Sequence, residues 1–223
     1  MNKKVIIFDM DGVIIDSEPL WQAAQHQSLF AFGVEITPED CERETMGKRI
    51  DDIASIWCNL FQLEVNPTVL AEGILRNVCR QIISKGTANV GLYELLNFLR
   101  DTGYQIGLAT SSNHSVIDAV FSKLQLWEYF DVICSAEDEN FGKPSPDVYL
   151  TAAKRLGVKP GGCLVIEDSL NGLMSANSAS MKTYLVSPFC NDSKFNIADK
   201  KFKNLSEIHR ELDIYAAQVN HLT

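Results

Sequence analysis

The 223-residue chain has no excess of positive charge, no long apolar run and no closely paired cysteines, and each absence removes a class of function. Twenty Lys and Arg stand against 29 Asp and Glu, a net charge of −9, and no basic stripe is present to release counterions from a nucleic acid. Nucleic-acid binding is therefore not expected. The apolar run Val5-Ile6-Ile7-Phe8 is far too short for a membrane span or a secretory leader, and it runs directly into Asp9 and Asp11. No membrane association is expected, and the expected location is the cytoplasm. The six cysteines (Cys41, Cys58, Cys79, Cys134, Cys163 and Cys190) lie far apart without a C-x-x-C pair, which argues against zinc and thiol exchange. They read as reduced packing residues. Repeats, low-complexity tracts and Pro/Ser-rich linkers are also missing.

What is present is an ordinary globular composition, 46% hydrophobic and 22% charged, in a chain long enough for one α/β domain with a smaller insertion. Residues 4–8 form an apolar run without alternation, the pattern of a strand buried on both faces of a parallel sheet. Similar runs at 104–109, 131–134, 163–166 and 183–186 predict four more strands. Between them Leu92, Leu95, Leu96 and Leu99 recur at helical spacing before Gly103, Val116 to Leu124 carries a second apolar stripe, and a third helix closes at Gly157. This alternation predicts an α/β fold, a doubly wound parallel sheet with a Rossmann-like core. The segment 17–86 breaks the alternation. Trp21, Ala24, Ser28 and Leu29, and then Ile53, Ile56, Trp57 and Leu60, follow a helical period, and no strand is evident. A crossover needs only one helix, so 17–86 is expected to be an inserted α-helical cap domain on a core formed by 1–16 and 87–223.

In an open parallel sheet the site lies at the carboxyl ends of the strands, so the residues leaving each strand are the ones to read. The first strand leads into Asp9-Met10-Asp11-Gly12, the second into Thr110-Ser111-Ser112, and the 163–166 strand into Glu167-Asp168-Ser169, with Lys143-Pro144 in a loop. Asp9 and Asp11 at a spacing of two are expected to face one side, where two ionised carboxylates repel unless a cation or a proton intervenes. Hard oxygen ligands point to Mg2+, held by Asp9, Asp11 and Asp168. An ionised Asp9 can attack phosphorus and form an aspartyl-phosphate. Asp11 can then protonate the leaving alkoxide and deprotonate water. Lys143, the Thr110 hydroxyl and the groups of Ser111 are expected to surround the phosphoryl oxygens. The expected partner is a small phosphorylated metabolite, and a monomer is expected.

At these residues the sequence resembles the haloacid dehalogenase superfamily along essentially the whole chain. Phe8-Asp9-Met10-Asp11-Gly12-Val13 is similar to its first motif, Leu108-Ala109-Thr110-Ser111 to the second, Lys143-Pro144 to the third, and Ile166-Glu167-Asp168-Ser169 with Asn171-Gly172 to the fourth. The resemblance implies Asp9 as nucleophile and metal ligand, and Asp11 as acid/base that offers its backbone carbonyl to the metal. It further implies Asp168 as the remaining protein ligand and Glu167 as a support behind the ligands. Asp16-Ser17-Glu18-Pro19-Leu20-Trp21 and Met46-Gly47-Lys48-Arg49-Ile50-Asp51 resemble the sugar-phosphate phosphatases of the β-phosphoglucomutase-like branch. Glu18, Trp21 and Arg49 are thereby specificity candidates, with cap packing or surface charge as the alternative reading.

Sibling chemistries separate on single residues. Dehalogenases of the superfamily lack the second aspartate, which is here as Asp11. Phosphonate hydrolysis uses a cap lysine, and no lysine follows Asp16 until Lys48. The mutases carry a cap histidine where this chain has Trp21, which leaves a phosphatase ahead of a phosphosugar mutase. A catalytically silent binding protein remains a reading of a different class, and the intact set of Asp9, Asp11, Thr110, Lys143 and Asp168 speaks against it.

Overall fold

The computed structural model describes residues 4–220. Six strands form one parallel sheet: β1 (Val5–Phe8), β2 (Gln105–Thr110), β3 (Val132–Ser135), β4 (Cys163–Glu167), β5 (Lys182–Val186) and β6 (Lys200–Phe202). Their order is β3-β2-β1-β4-β5-β6. The order reverses at β1, which pairs with β2 on one side and β4 on the other, Phe8 lying level with Leu108 and Ile166. A crevice therefore opens at the carboxyl end of β1, the switch point where such sheets bind ligands.

The five predicted strands lie within a residue of their expected places. The sixth is new. β6 is a three-residue edge strand, Lys-Lys-Phe, that pairs with β5 alone and stays partly open to solvent. It offers no apolar run to read.

Alternation within β1 divides the core between two layers. Ile6 and Phe8 join the buried cluster with α5 (Leu92–Asp101) and α6 (His114–Leu124), whereas Val5 and Ile7 join the one with α7 (Asp147–Leu156) and α8 (Leu170–Ser178). The chain ends in α9 (Leu205–Asn220), which packs on α5. The six cysteines form no disulfide, and five of them are buried. Burial pushes the thiols of Cys41, Cys134 and Cys163 up to about 11, which makes them packing residues and not nucleophiles.

Between β1 and α5 the chain builds four helices, α1 (Glu18–Phe30), α2 (Pro38–Glu44), α3 (Ile50–Leu60) and α4 (Pro67–Lys85). Their starts are chemically marked. Pro19 opens α1, Thr37 and Asp40 cap α2 reciprocally, and Asn66 caps α4 ahead of Pro67. α4 lies against α1, α3 and the core helix α6. Trp57 of α3 is fully buried, while Leu60, expected on the same stripe, is 54% exposed in the last turn. Two short connections join this insert to the sheet. They are tied by an antiparallel bridge between Ile15 and Ala88 and by Asn89 Nδ2, which donates to the carbonyls of Gly12 and Val13 at 2.7 and 3.0 Å.

Candidate active site

Asp9 leaves β1 as a nearly buried carboxylate, and Lys143, 3% exposed, lies beneath it. Lys143 Nζ donates to Asp9 Oδ1 at 2.7 Å, to Glu167 Oε1 at 2.6 Å and to the Ala109 carbonyl at 3.1 Å, and Tyr149 Oη lies 3.0 Å away. The ammonium has three protons, so these acceptors exhaust it. Glu167 is equally saturated. Its Oε1 also accepts from Tyr149 Oη at 2.7 Å, and its Oε2 takes the backbone N–H groups of Asp168 and Ser169 and the Ser169 hydroxyl. Gly172 of α8 permits this, because a Cβ there would lie 1.7 Å from Glu167 Oε1. Lys143 thus holds Asp9 in place while still lining the cavity in which Asp9 lies.

The electrostatics follow from these contacts. Burial is the main cause that pushes the Asp9 carboxyl up to about 7, with Glu167 and Asp11 adding to it and Lys143 opposing it. Asp168 is held well above the usual carboxylate range by burial and by the charges of Glu167 and Asp9. For Glu167 burial pushes upward, but Lys143 and the hydrogen bonds prevail and hold it low. On Lys143 the two carboxylates outweigh burial and raise the ammonium.

Asp9, Glu167 and Asp168 bring carboxylate oxygens within 4.8 Å of one another. Glu167 has no lone pair direction to spare. Asp168 accepts no hydrogen bond on its carboxylate among the described residues, and Asp9 keeps one oxygen free of partners. Gly12, at φ +76°, lets Asp168 approach the turn after β1, since a Cβ there would stand 2.0 Å from Asp168 Oδ2. One lysine against Asp9, Glu167 and Asp168 leaves negative charge uncompensated in a buried place, a cost of several kcal/mol per ion. Two open carboxylates with that imbalance fit a hard divalent cation.

Asp11 faces another way. Its Oδ1 accepts from Ser17 Oγ at 2.5 Å and from Trp21 Nε1 at 2.9 Å, and its Oδ2 accepts from Ser112 Oγ at 2.7 Å. Its side chain is therefore outside the carboxylate cluster, held between α1 and the loop after β2. Thr110 is buried at the end of β2, where its Oγ1 accepts from Ser112 N at 3.1 Å, and Ser111 follows on the cavity wall.

Asp9, Asp11, Thr110, Ser111, Lys143 and Asp168 line one narrow cavity of about 90 Å³. Glu18 and Trp21 of α1 close it from the insert. Arg49 does not line it: its Nη1 donates to the Glu139 carbonyl at 3.1 Å, its Nε pairs with Asp51, and its aliphatic stem lies on Gly142. The neighbouring Lys48 lines the cavity in its place. Gln25 and Thr45 are further wall residues that motif reading passed over. Through Gly12, Glu18, Met46 and Asp168 the cavity adjoins a groove of about 1000 Å³ between the insert and the loops after β5 and β6.

An open parallel sheet gathers carboxylates, hydroxyls and a lysine at its switch point, and comparison with known proteins makes this a hydrolase. The description "haloacid dehalogenase-like hydrolase" matches residues 6–186. Hexitol phosphatase B of Escherichia coli (strain K12) is 35% identical over 211 residues, covering 91% of this chain and 92% of that protein. The phosphorylated carbohydrates phosphatase of Thermotoga maritima is 31% identical over 192 residues, covering 86% and 88%. Among solved structures, CbbY from Rhodobacter sphaeroides in complex with phosphate has a TM-score of 0.84 at 21% identity, covering 92% of this chain and 96% of that one, a likeness of fold. This chain belongs to the haloacid dehalogenase-like hydrolases, as a phosphoric monoester hydrolase among them.

Proposed function

We propose that the chain is a Mg2+-dependent phosphatase for small sugar or sugar-alcohol phosphates that works through an aspartyl-phosphate on Asp9, with Asp11 as general acid and base. The observation that carries this reading is the contrast between the two aspartates in one cavity. Asp9 is fixed by a buried cation, Lys143, and Asp11 is held two residues later by neutral donors on the opposite wall.

In the first step Asp9 attacks phosphorus, the ester P–O bond breaks, and Asp11 gives its proton to the departing oxygen. In the second step Asp11 takes a proton from water, which attacks phosphorus and releases phosphate from Asp9. Splitting the displacement in two lowers each barrier, and a proton donor is needed because an alkoxide is a poor leaving group. Lys143 keeps Asp9 oriented throughout, and the Thr110 and Ser111 end of β2 receives the phosphoryl oxygens. Mg2+ would be held by the carboxylates of Asp9 and Asp168 and the main-chain carbonyl of Asp11, where it supplies positive charge to the phosphoryl group. Glu167 acts through Lys143.

Residues 17–86 act as a cap, with α1 laid over the crevice and the segments around Ile15 and Asn89 as its connections. A cap of this kind excludes water and reads the leaving group. The identities of hexitol phosphatase B and of the phosphorylated carbohydrates phosphatase support a sugar or polyol there. Six thiols without a disulfide support a reducing compartment, the cytoplasm.

A panel of sugar, polyol and nucleotide monophosphates tests the reading, run with Mg2+, with a chelator, and with Asp9→Asn. Release from hexose or hexitol phosphates that needs Mg2+ and is lost in Asp9→Asn is expected. Strong preference for nucleotides or phosphoglycolate would defeat the substrate class, and activity retained by Asp9→Asn would defeat the mechanism.

A further inference from the structure

Glu18, Trp21 and Gln25 follow one another on α1 at i, i+3 and i+7, which places them on one face of the helix, and all three line the cavity. Gln25 is the unexpected member. It is 3% exposed and sits on the buried stripe formed with Ala24, Ser28 and Leu29, where an apolar side chain would be the default. A buried amide has an acceptor end and a donor end to satisfy. Gln25 Oε1 accepts from Trp57 Nε1 at 2.7 Å and from Thr45 Oγ1 at 3.0 Å. An indole N–H only donates, so the atom opposite it is the oxygen and the amide cannot be turned round. Nε2 is thereby directed away from Trp57 and has no hydrogen-bond partner among the described residues, although its residue forms part of the cavity wall.

We infer that Gln25 is a specificity-determining residue whose Nε2 donates to a hydroxyl or ring oxygen of the leaving group, at the end of the cavity away from phosphorus. This rests on the phosphatase reading above and narrows it. Trp21 cannot serve instead, because its N–H is engaged by Asp11. Glu18, on the same helix face, supplies the complementary function: one carboxylate oxygen accepts from Gln22 Nε2 at 3.0 Å and the other is left to accept. A donor and an acceptor side by side match a neutral polyhydroxyl chain, in which every hydroxyl can do both. An aryl or plain alkyl leaving group fills neither and leaves Nε2 buried without a partner. A site with a committed hydrogen-bonding group discriminates against analogues that lack its partner, because the group is then left desolvated and unpaired.

The test compares Gln25→Met with the unaltered full chain in Mg2+, on a hexitol 6-phosphate, its single-deoxy analogues and p-nitrophenyl phosphate. The kcat/KM ratio of hexitol phosphate to p-nitrophenyl phosphate is expected to fall about 10- to 100-fold in the variant, chiefly through KM. The deoxy analogue that the unaltered enzyme rejects should approach the parent sugar alcohol in the variant. An unchanged ratio, or rejection of that analogue as strong as before, would overturn the assignment of Gln25. If the unaltered enzyme hydrolyses p-nitrophenyl phosphate and no polyol phosphate, the substrate reading falls with it, and the two failures are thus told apart. Should Gln25→Met not fold, the side-chain amide resonance of Gln25 in Asp9→Asn gives the answer. It is expected to move on adding hexitol phosphate and to stay with inorganic phosphate, and equal shifts with both would contradict the inference.

Discussion

The two ends of the cavity are built on different physics. At the phosphate end, charged groups from two strand ends and one loop are locked together: Asp9, Lys143 and Glu167 are buried, and Lys143 and Glu167 have no hydrogen-bonding capacity left. At the leaving-group end, one helix face presents Glu18, Trp21 and Gln25: Trp21 donates to Asp11 of the core, while Glu18 and Gln25 accept from neutral donors of the insert, Gln22, Trp57 and Thr45. The difference teaches how one fold keeps its chemistry while the substrate varies. Moving a buried charge costs several kcal/mol, whereas exchanging a neutral hydrogen-bonding group on a helix costs much less.

The largest effect should come from the charged end. Lys143→Met leaves Asp9 and Glu167 facing each other without a cation, and the loss of a buried partner costs about 3–5 kcal/mol. Urea unfolding should show a loss of that order, with phosphate release abolished. A drop below about 1 kcal/mol would mean that this end is not locked as described. Next, Asp168→Asn removes a carboxylate that burial, Glu167 and Asp9 disfavour. Activity should disappear while the metal-free protein gains roughly 1–2 kcal/mol of stability, the trade expected where charge is kept for function. A destabilised variant would contradict the charge imbalance.

At the leaving-group end, Trp21→Phe keeps an aromatic side chain and deletes one of the hydrogen bonds to Asp11. Turnover of alkyl phosphates, which need the proton, should fall roughly tenfold, while p-nitrophenyl phosphate, with its good leaving group, should fall much less. Equal losses on both would place Trp21 in packing alone. The smallest effect concerns neither end. The thiols of Cys41, Cys134 and Cys163 are raised to about 11, so the native state keeps protons that the unfolded chain gives up first. Stability should be full below about pH 9 and decline as the pH rises towards 11, because the unfolded state then binds fewer protons. Chemical denaturation at pH 8 and pH 10.5 measures it.

The charged end was largely legible in the sequence, because Asp9 and the Glu167-Asp168 pair follow directly on continuous apolar runs whose type is hard to mistake, while Lys143, in a loop, was marked by the resemblance of Lys143-Pro144 to a family motif. Its arrangement was not. Placing Lys143 beneath Asp9, and Glu167 among the carboxylates in place of Asp11, depends on which oxygens the loop amides and Tyr149 occupy, and no spacing encodes that. The leaving-group end was half legible. Helical periodicity marked α1 and α3, and the resemblance of two cap segments to sugar-phosphate phosphatases drew notice to Glu18, Trp21 and Arg49; Arg49 lies outside the cavity, in keeping with its alternative reading as a cap charge, since the turn before α3 directs it to the loop ahead of Lys143 while Lys48 lines the cavity. Gln25 was overlooked although it carried a signal: a polar residue on the apolar stripe of an amphipathic helix. The edge strand β6 left no signal because two lysines and one phenylalanine suffice for pairing on one side only.

The claim on which both ends depend is that Asp9 carries the phosphoryl group. Acid quenching of the enzyme during turnover of a hexitol phosphate, followed by mass spectrometry of the peptide holding Phe8-Asp9-Met10, tests it directly. Phosphate on Asp9, absent from Asp9→Asn, is the expected result; an unmodified Asp9 peptide at every quench time, with phosphate still being released, would contradict it.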